Sequence, residues 1–240
     1  MRRPHAGRLY DTLLRAYGPQ GWWPISGLAG RPGYDQRGYH PGKYQVPGPR
    51  WRLEVAVGAV LTQNTAWLNA EAALAALRAA GLLEPSALLA CPPRRLAALI
   101  RPSGYYNQKA RKLRALAACL AGLSSARGLT RTPTRESLLA LWGIGPETAD
   151  SILLYAWQQP LVVVDAYTRR LFARLGWIEG REGYEELAGL CRAGLPAEPS
   201  VYQEFHALVV RHAKEHCRAS PLCRLCPLAG RPCLAYRELA

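Results

Sequence analysis

At 240 residues and 49% apolar content, the chain has the material for one large domain or two small ones, with a core of its own. A net charge of +14, carried by 27 Arg and four Lys (Lys43, Lys109, Lys112, Lys214), favours a polyanion such as nucleic acid over an acidic small molecule. No apolar run nears the ~20 residues that span a bilayer, and the start MRRPHAGRLY lacks the hydrophobic stretch of a signal peptide. The expectation is a cytoplasmic, nucleoid-associated protein without a membrane partner.

Residues 7 to 17 suit a short helix with Leu9, Leu13 and Leu14 on one side. After GPQGWWPI comes a stretch from Gly27 to Pro49 dense in Gly, Pro and Tyr, which reads as a long surface loop. The run RLEVAVGAVL, 52 to 61, is apolar nearly all round and reads as a buried helix. An Ala-rich helix follows over 69 to 80. In 109 to 120 the spacing of Leu113, Leu116, Ala117 and Leu120 predicts an amphipathic helix that leaves Lys109, Lys112 and Arg114 toward solvent. Ala149, Ile152, Leu153 and Ala156 repeat that stripe in GIGPETADSILLYAW, with the helix starting at Glu147 or Thr148. LVVVD has strand propensity but no evident partner, and reads as an extended connector. Helices at 166 to 175, 184 to 193 and 200 to 216 complete an all-α chain.

Seven cysteines in a chain of this kind argue for metal rather than disulfides, because four crowd the C-terminus as Cys217-x5-Cys223-x2-Cys226-x6-Cys233. One tight pair between two wider gaps suits a [4Fe-4S] cluster better than the two tight pairs of a zinc ribbon, with zinc as the alternative. His216, Arg218, Arg224 and Arg231 surround the motif and could meet phosphate. Cys91, Cys119 and Cys191 lie scattered in apolar helical stretches and read as buried fillers.

In LWGIGPETA the backbone can turn at Gly143 and Gly145 and present amides at a helix start, where phosphate is attracted. Such a turn also simply ends a helix. The segment Leu141–Arg170, with LTQNTAW, IRPSGYYNQKARKL and the C-terminal cysteines, resembles the endonuclease III family of helix-hairpin-helix DNA glycosylases over nearly all of 51 to 233. The resemblance implies two helical lobes around a DNA-binding cleft. One is a barrel over 52–165 containing the helix-hairpin-helix; the other joins 1–51 to 166–240 and carries the iron-sulfur cluster loop. It also implies a monomer whose partner is double-stranded DNA with a damaged base.

By the same resemblance Asp165 is the catalytic carboxylate, although VVVDAY also places it as the N-cap of the next helix. Where bifunctional members carry His two places on, this chain has Tyr167. Where they carry the Schiff-base lysine it has Glu147, so the expected enzyme is monofunctional and releases a base with water. Trp22, Trp23 and Pro24, with Trp67 after TQNT, resemble the branch that removes 3-methyladenine, in which such residues wall the pocket for the flipped base; a cationic purine stacks well between indoles. The plainer reading of the tryptophan pair is an anchor for the N-terminal segment.

Lys214 aligns with a pocket lysine of that branch and is expected to point away, be neutralised or be modified by carbon dioxide; alternatively it is a solvated helix residue. Gln63 is expected to fill the gap left by the extruded nucleotide, or else to bond backbone. Asn107, Lys109 and Arg111 read as phosphate contacts or a solvated face. Gly143, Ile144, Gly145, Thr148 and Arg169 complete the expected DNA contacts. An endonuclease III-like glycosylase/lyase for oxidised pyrimidines, a mismatch uracil or thymine glycosylase, and a non-catalytic DNA-binding module are the alternatives.

Overall fold

In the computed structural model the residues described are 5–44, 48–230 and 233–235. Residues 45–47 of the Gly/Pro loop, Arg231 of the cysteine region and both chain ends lie outside them. Eleven α-helices appear among the described residues, and the only strands there are the two-residue pairs Ser124–Ser125 and Gly128–Leu129, antiparallel. None of the helices described is long and apolar enough to cross a membrane. The chain divides into two compact units, residues 23–40 with 45–159, and residues 1–22 with 41–44 and 160–240.

The first unit holds α2 (Arg52–Leu61), α3 (Trp67–Ala79), α4 (Pro85–Ala90), α5 (Pro93–Leu99), α6 (Tyr106–Ala121), α7 (Arg135–Leu139) and α8 (Pro146–Trp157). At its centre is α2, buried from Leu53 to Leu61 and packed against α8 and α3, as its all-round apolarity requires. Prolines in the first turn start α4, α5 and α8. Ahead of α2, the segment from Trp23 is tied down by polar contacts. Buried Glu54 pairs with Arg78 and accepts from Ser26 N at 2.8 Å and Ser26 Oγ at 2.6 Å. His40 Nε2 lies 2.8 Å from the carbonyl of Trp23. The described part of the loop folds back on itself, Ile25 N donating to Gly38 O at 3.0 Å.

The other unit holds α1 (Ala6–Tyr17), α9 (Ala166–Leu175), α10 (Tyr184–Arg192) and α11 (Pro199–Glu215). Both α1 and α9 pack on α11, whose residues 202 to 210 are all buried. Val162, Val163 and Val164 are buried in an extended connector, as LVVVD suggested, and the Tyr184 hydroxyl donates to Val162 O at 3.2 Å.

Candidate active site

Each unit carries its own set of functional side chains. In the one holding α9 and α11, Asp165 ends the extended connector and begins α9. Its Oδ1 accepts from Thr168 N at 2.7 Å and from Thr168 Oγ1 at 2.8 Å, so the capping role is real. Its Oδ2 faces His206 Nε2 of α11 at 3.6 Å. Burial raises the carboxyl pKa, but His206 and the two Thr168 donors outweigh it and hold Asp165 below its ordinary range. Both side chains are nearly closed off, Asp165 at 9% exposure and His206 at 6%.

Trp22, half-buried, meets the His206 ring edge to face, centroids 5.7 Å apart and planes at 87°. Lys214 is exposed, with its Nζ 6.0 Å from the ring centre of Tyr167. Surrounding protein lowers its pKa and the charge of Asp165 partly restores it. Arg169 is used locally, donating to Glu182 O at 2.6 Å.

The cysteines share a hollow in the same unit. Cys217, Cys223, Cys226 and Cys233 line it with Leu171, Arg174 and His212. None of the seven cysteines is in a disulfide, and no three metal-ligand groups converge among the described residues. Two of the sulfurs face donors, Arg174 Nη1 at 3.2 Å from Cys217 Sγ and Leu228 N at 3.4 Å from Cys226 Sγ, while Cys233 Sγ donates to Arg174 O at 3.6 Å. Four cysteines thus line one hollow beside a guanidinium without three of their sulfurs converging as metal ligands among the described residues. Arg218 donates to Lys214 O at 2.8 Å, and Arg174 holds the carbonyls of Arg218 and Ala219 at 2.5 and 2.9 Å.

In the unit built on α2, the hairpin turns at Gly143, whose φ of +77° suits glycine; a Cβ there would also lie 2.4 Å from Lys112 Cε. Gly145 adopts ordinary extended backbone as the N-cap of α8, so the sharp turn expected at both glycines occurs at the first alone. Ile144 is buried between them. No side chain caps the start of α8. Thr148, buried in its first turn, accepts from Gln63 Nε2 at 2.8 Å; the same nitrogen donates to Gly143 O at 3.1 Å, and Lys112 Nζ donates to Gln63 Oε1 at 2.5 Å. Gln63 is thus latched to the hairpin. The acids of this stretch part ways: Glu147 is exposed, while buried Asp150 accepts from Arg135 Nε at 2.6 Å and Nη2 at 3.1 Å, tying α7 to α8.

Lys109 corrects the sequence reading. It is not on a solvated face but 1% exposed, and its ammonium donates to Leu61 O at 2.8 Å, Thr65 Oγ1 at 2.8 Å and Ser103 O at 2.6 Å. The helix α6 begins at Tyr106, so residue 109 lies within it, four residues before Leu113 and on the same buried face as Leu113, Leu116 and Leu120. Arg114 also bonds inward, to Leu89 O and Cys91 O at 2.8 Å, closing the end of α4. Asn107 and Arg111 are exposed as expected and line a shallow hollow with Arg94 and Arg114. Trp142, an exposed indole that the sequence reading passed over, sits 4.2 Å from the Arg111 guanidinium.

The aromatic pair divides. Trp23 is buried beside Trp67 and Tyr155, with centroids at 5.5 and 5.2 Å, and Pro24 is buried behind it. Gly58 makes room, since a Cβ on it would lie 2.9 Å from Trp23 Nε1. Tyr155 and His206 are absent from the sequence-derived site; each stands in an apolar helical run where only its neighbours in space reveal it.

A helical chain with a glycine hairpin and a capped, ionised aspartate opening the next helix has the parts of a DNA repair enzyme. Residues 57–197 match the model of the HhH-GPD superfamily base excision DNA repair proteins, and the chain belongs to that superfamily as a DNA glycosylase. It is 39% identical over 227 residues to a proposed DNA repair glycosylase of Methanocaldococcus jannaschii, covering 92% of each chain. It is 30% identical over 187 residues to endonuclease III of Thermotoga maritima, covering 78% of this chain and 84% of that one. Among solved structures it is similar to H. pylori 3-methyladenine DNA glycosylase bound to 1,N6-ethenoadenine, with a TM-score of 0.68 and 28% identity over 88% of this chain and 98% of that one.

Proposed function

We propose that the protein is a monofunctional glycosylase that excises alkylated purines of the 3-methyladenine type from double-stranded DNA, acting as a monomer. The observation that carries this reading is the Trp22–His206–Asp165 arrangement, which puts an indole one residue's width from an ionised carboxylate. A cationic purine is attracted to electron-rich rings and leaves readily, so little protonation machinery is needed. Asp165 then stabilises the positive sugar that develops as the glycosidic bond breaks, and orients or deprotonates the attacking water. Trp23, Trp67 and Tyr155 form an aromatic cluster of their own in the unit built on α2, where the buried Trp67 indole N–H has no acceptor among the described residues. The similarity to a 3-methyladenine glycosylase supports the substrate class.

The uncapped start of α8, with exposed Asn107 and Arg111, would grip backbone phosphate. Mass spectrometry of bases released from methylated duplex DNA tests the reading. Methylated purines in the supernatant, with no release from DNA bearing oxidised pyrimidines, are expected. Because Glu147 cannot form an imine, borohydride is expected to trap no covalent enzyme–DNA adduct. An adduct would overturn the monofunctional assignment.

Cys217, Cys223, Cys226 and Cys233 would hold a [4Fe-4S] cluster, which ties down a terminal segment with little apolar material of its own. Elemental analysis of anaerobically purified protein is expected to find iron with equimolar acid-labile sulfide; zinc alone would reject the cluster.

A further inference from the structure

Asp165 has two oxygens in different situations. Oδ1 is committed to Thr168, through the backbone N–H and the hydroxyl, and cannot turn without uncapping α9. That leaves Oδ2 for chemistry, and its neighbour at 3.6 Å is His206 Nε2. The imidazole stands on α11 within a run buried from Tyr202 to Val210, so it has little freedom to swing away. Its other side meets the edge or face of Trp22. One buried ring therefore touches both the carboxylate and an indole of the proposed base pocket.

We propose that His206 is a positioning residue of the glycosylase site, fixing Oδ2 of Asp165 and the plane of Trp22 in one register. The inference rests on Asp165 being the catalytic carboxylate. An imidazole Nε2 facing Oδ2 orients the carboxylate to set its charge against the developing sugar cation; an acid–base role on the departing base is not required. The other titratable groups around Asp165 are Lys214, which shares α11 with His206, and Tyr184 of α10, whose hydroxyl is 3.4 Å from Val164 N.

The test compares two variants in single-turnover base release between pH 5.5 and 8.5, with DNA binding measured alongside. H206F keeps an aromatic ring for Trp22 but removes the N–H, so the desolvated carboxylate is left with Thr168 alone. Its rate should fall about tenfold at neutral pH and further as the pH drops, with binding unchanged. H206Q keeps a donor of similar reach and should stay within about threefold of wild type, with the same pH profile. Should H206F not fold, H206N, whose amide is too short to reach Oδ2, replaces it with the same expectation. A wild-type rate and profile in H206F or H206N overturns the proposal, and so does equal loss in both donor-keeping and donor-lacking variants, which would mark His206 as packing only. If Asp165→Asn is itself fully active, the catalytic reading fails first and this one with it.

Discussion

Asp165→Asn is expected to lose base release by about 10²–10⁴-fold while folding and binding DNA as the wild type does. The substitution separates the observed capping role of this side chain from the proposed catalytic one. As N-cap of α9 the aspartate needs only an acceptor for Thr168, which asparagine supplies through its carbonyl oxygen, and Asn ranks with Asp at such positions. As the group that stabilises a developing cation it needs a full charge, which asparagine lacks. Asp165→Ala removes both and should cost about 1 kcal/mol in stability besides. The measurements are single-turnover base release, DNA affinity and thermal melting on the same preparations. Full activity in the asparagine variant would reduce Asp165 to a cap, and an inactive wild type would favour a non-catalytic DNA-binding module.

The largest expected effect on stability is at Lys109. Replacing it with methionine keeps the length and the apolar stem but strips the donors from Leu61 O, Ser103 O and Thr65 Oγ1. Each lost hydrogen bond costs about 1 kcal/mol, and unsatisfied buried acceptors push the figure higher; against that, the variant no longer desolvates an ammonium without a carboxylate beside it. A net loss of about 2 kcal/mol is expected, which for a chain of this size lowers the melting temperature by roughly 4–8 °C. The damage should extend to DNA handling, because Lys109 ties the end of α2 to Thr65, two residues from Gln63.

The alkaline behaviour of Lys109 follows from its burial, with the nearby charge of Lys112 adding to it; together they bring its pKa from an ordinary 10.5 down to about 8. Between those values the unfolded chain holds a proton that the native state has released. Wild-type stability should therefore gain from Lys109 as the pH rises from 8 toward 10, a gain missing from the methionine variant. Chemical denaturation of both proteins across that range checks it. A methionine variant as stable as wild type at every pH would show that the three bonds contribute nothing net.

Periodicity read the long helices well because their apolar stripes face a core. The boundaries of α2 and α9 agree with the sequence reading, since one is apolar all round and the other starts at a strong capping residue. The short helices α4, α5 and α7, of five to seven residues, offer too few turns for a stripe to register and were missed. Lys109 was misplaced for a related reason. A lysine inside an amphipathic pattern reads as solvent-facing, and only the meeting of Leu61, Thr65 and Ser103, distant in the chain, gives an ammonium a reason to be buried. His206 was illegible in the same way, being a lone polar ring in QEFHALVV. Trp22 and Trp23 were legible as a pair through family resemblance, but not their division between His206 and the Trp67–Tyr155 cluster, because partners distant in the chain decide it.

The latch between Gln63 and the hairpin has a kinetic corollary. Its amide spends both its donor and acceptor capacity on Gly143, Thr148 and Lys112 in the DNA-free protein. Were Gln63 to fill the vacancy behind an everted nucleotide, as the family resemblance implies, it would have to exchange these partners for an orphan base, so searching undamaged duplex could proceed with the plug stowed, and deployment could wait until a lesion yields.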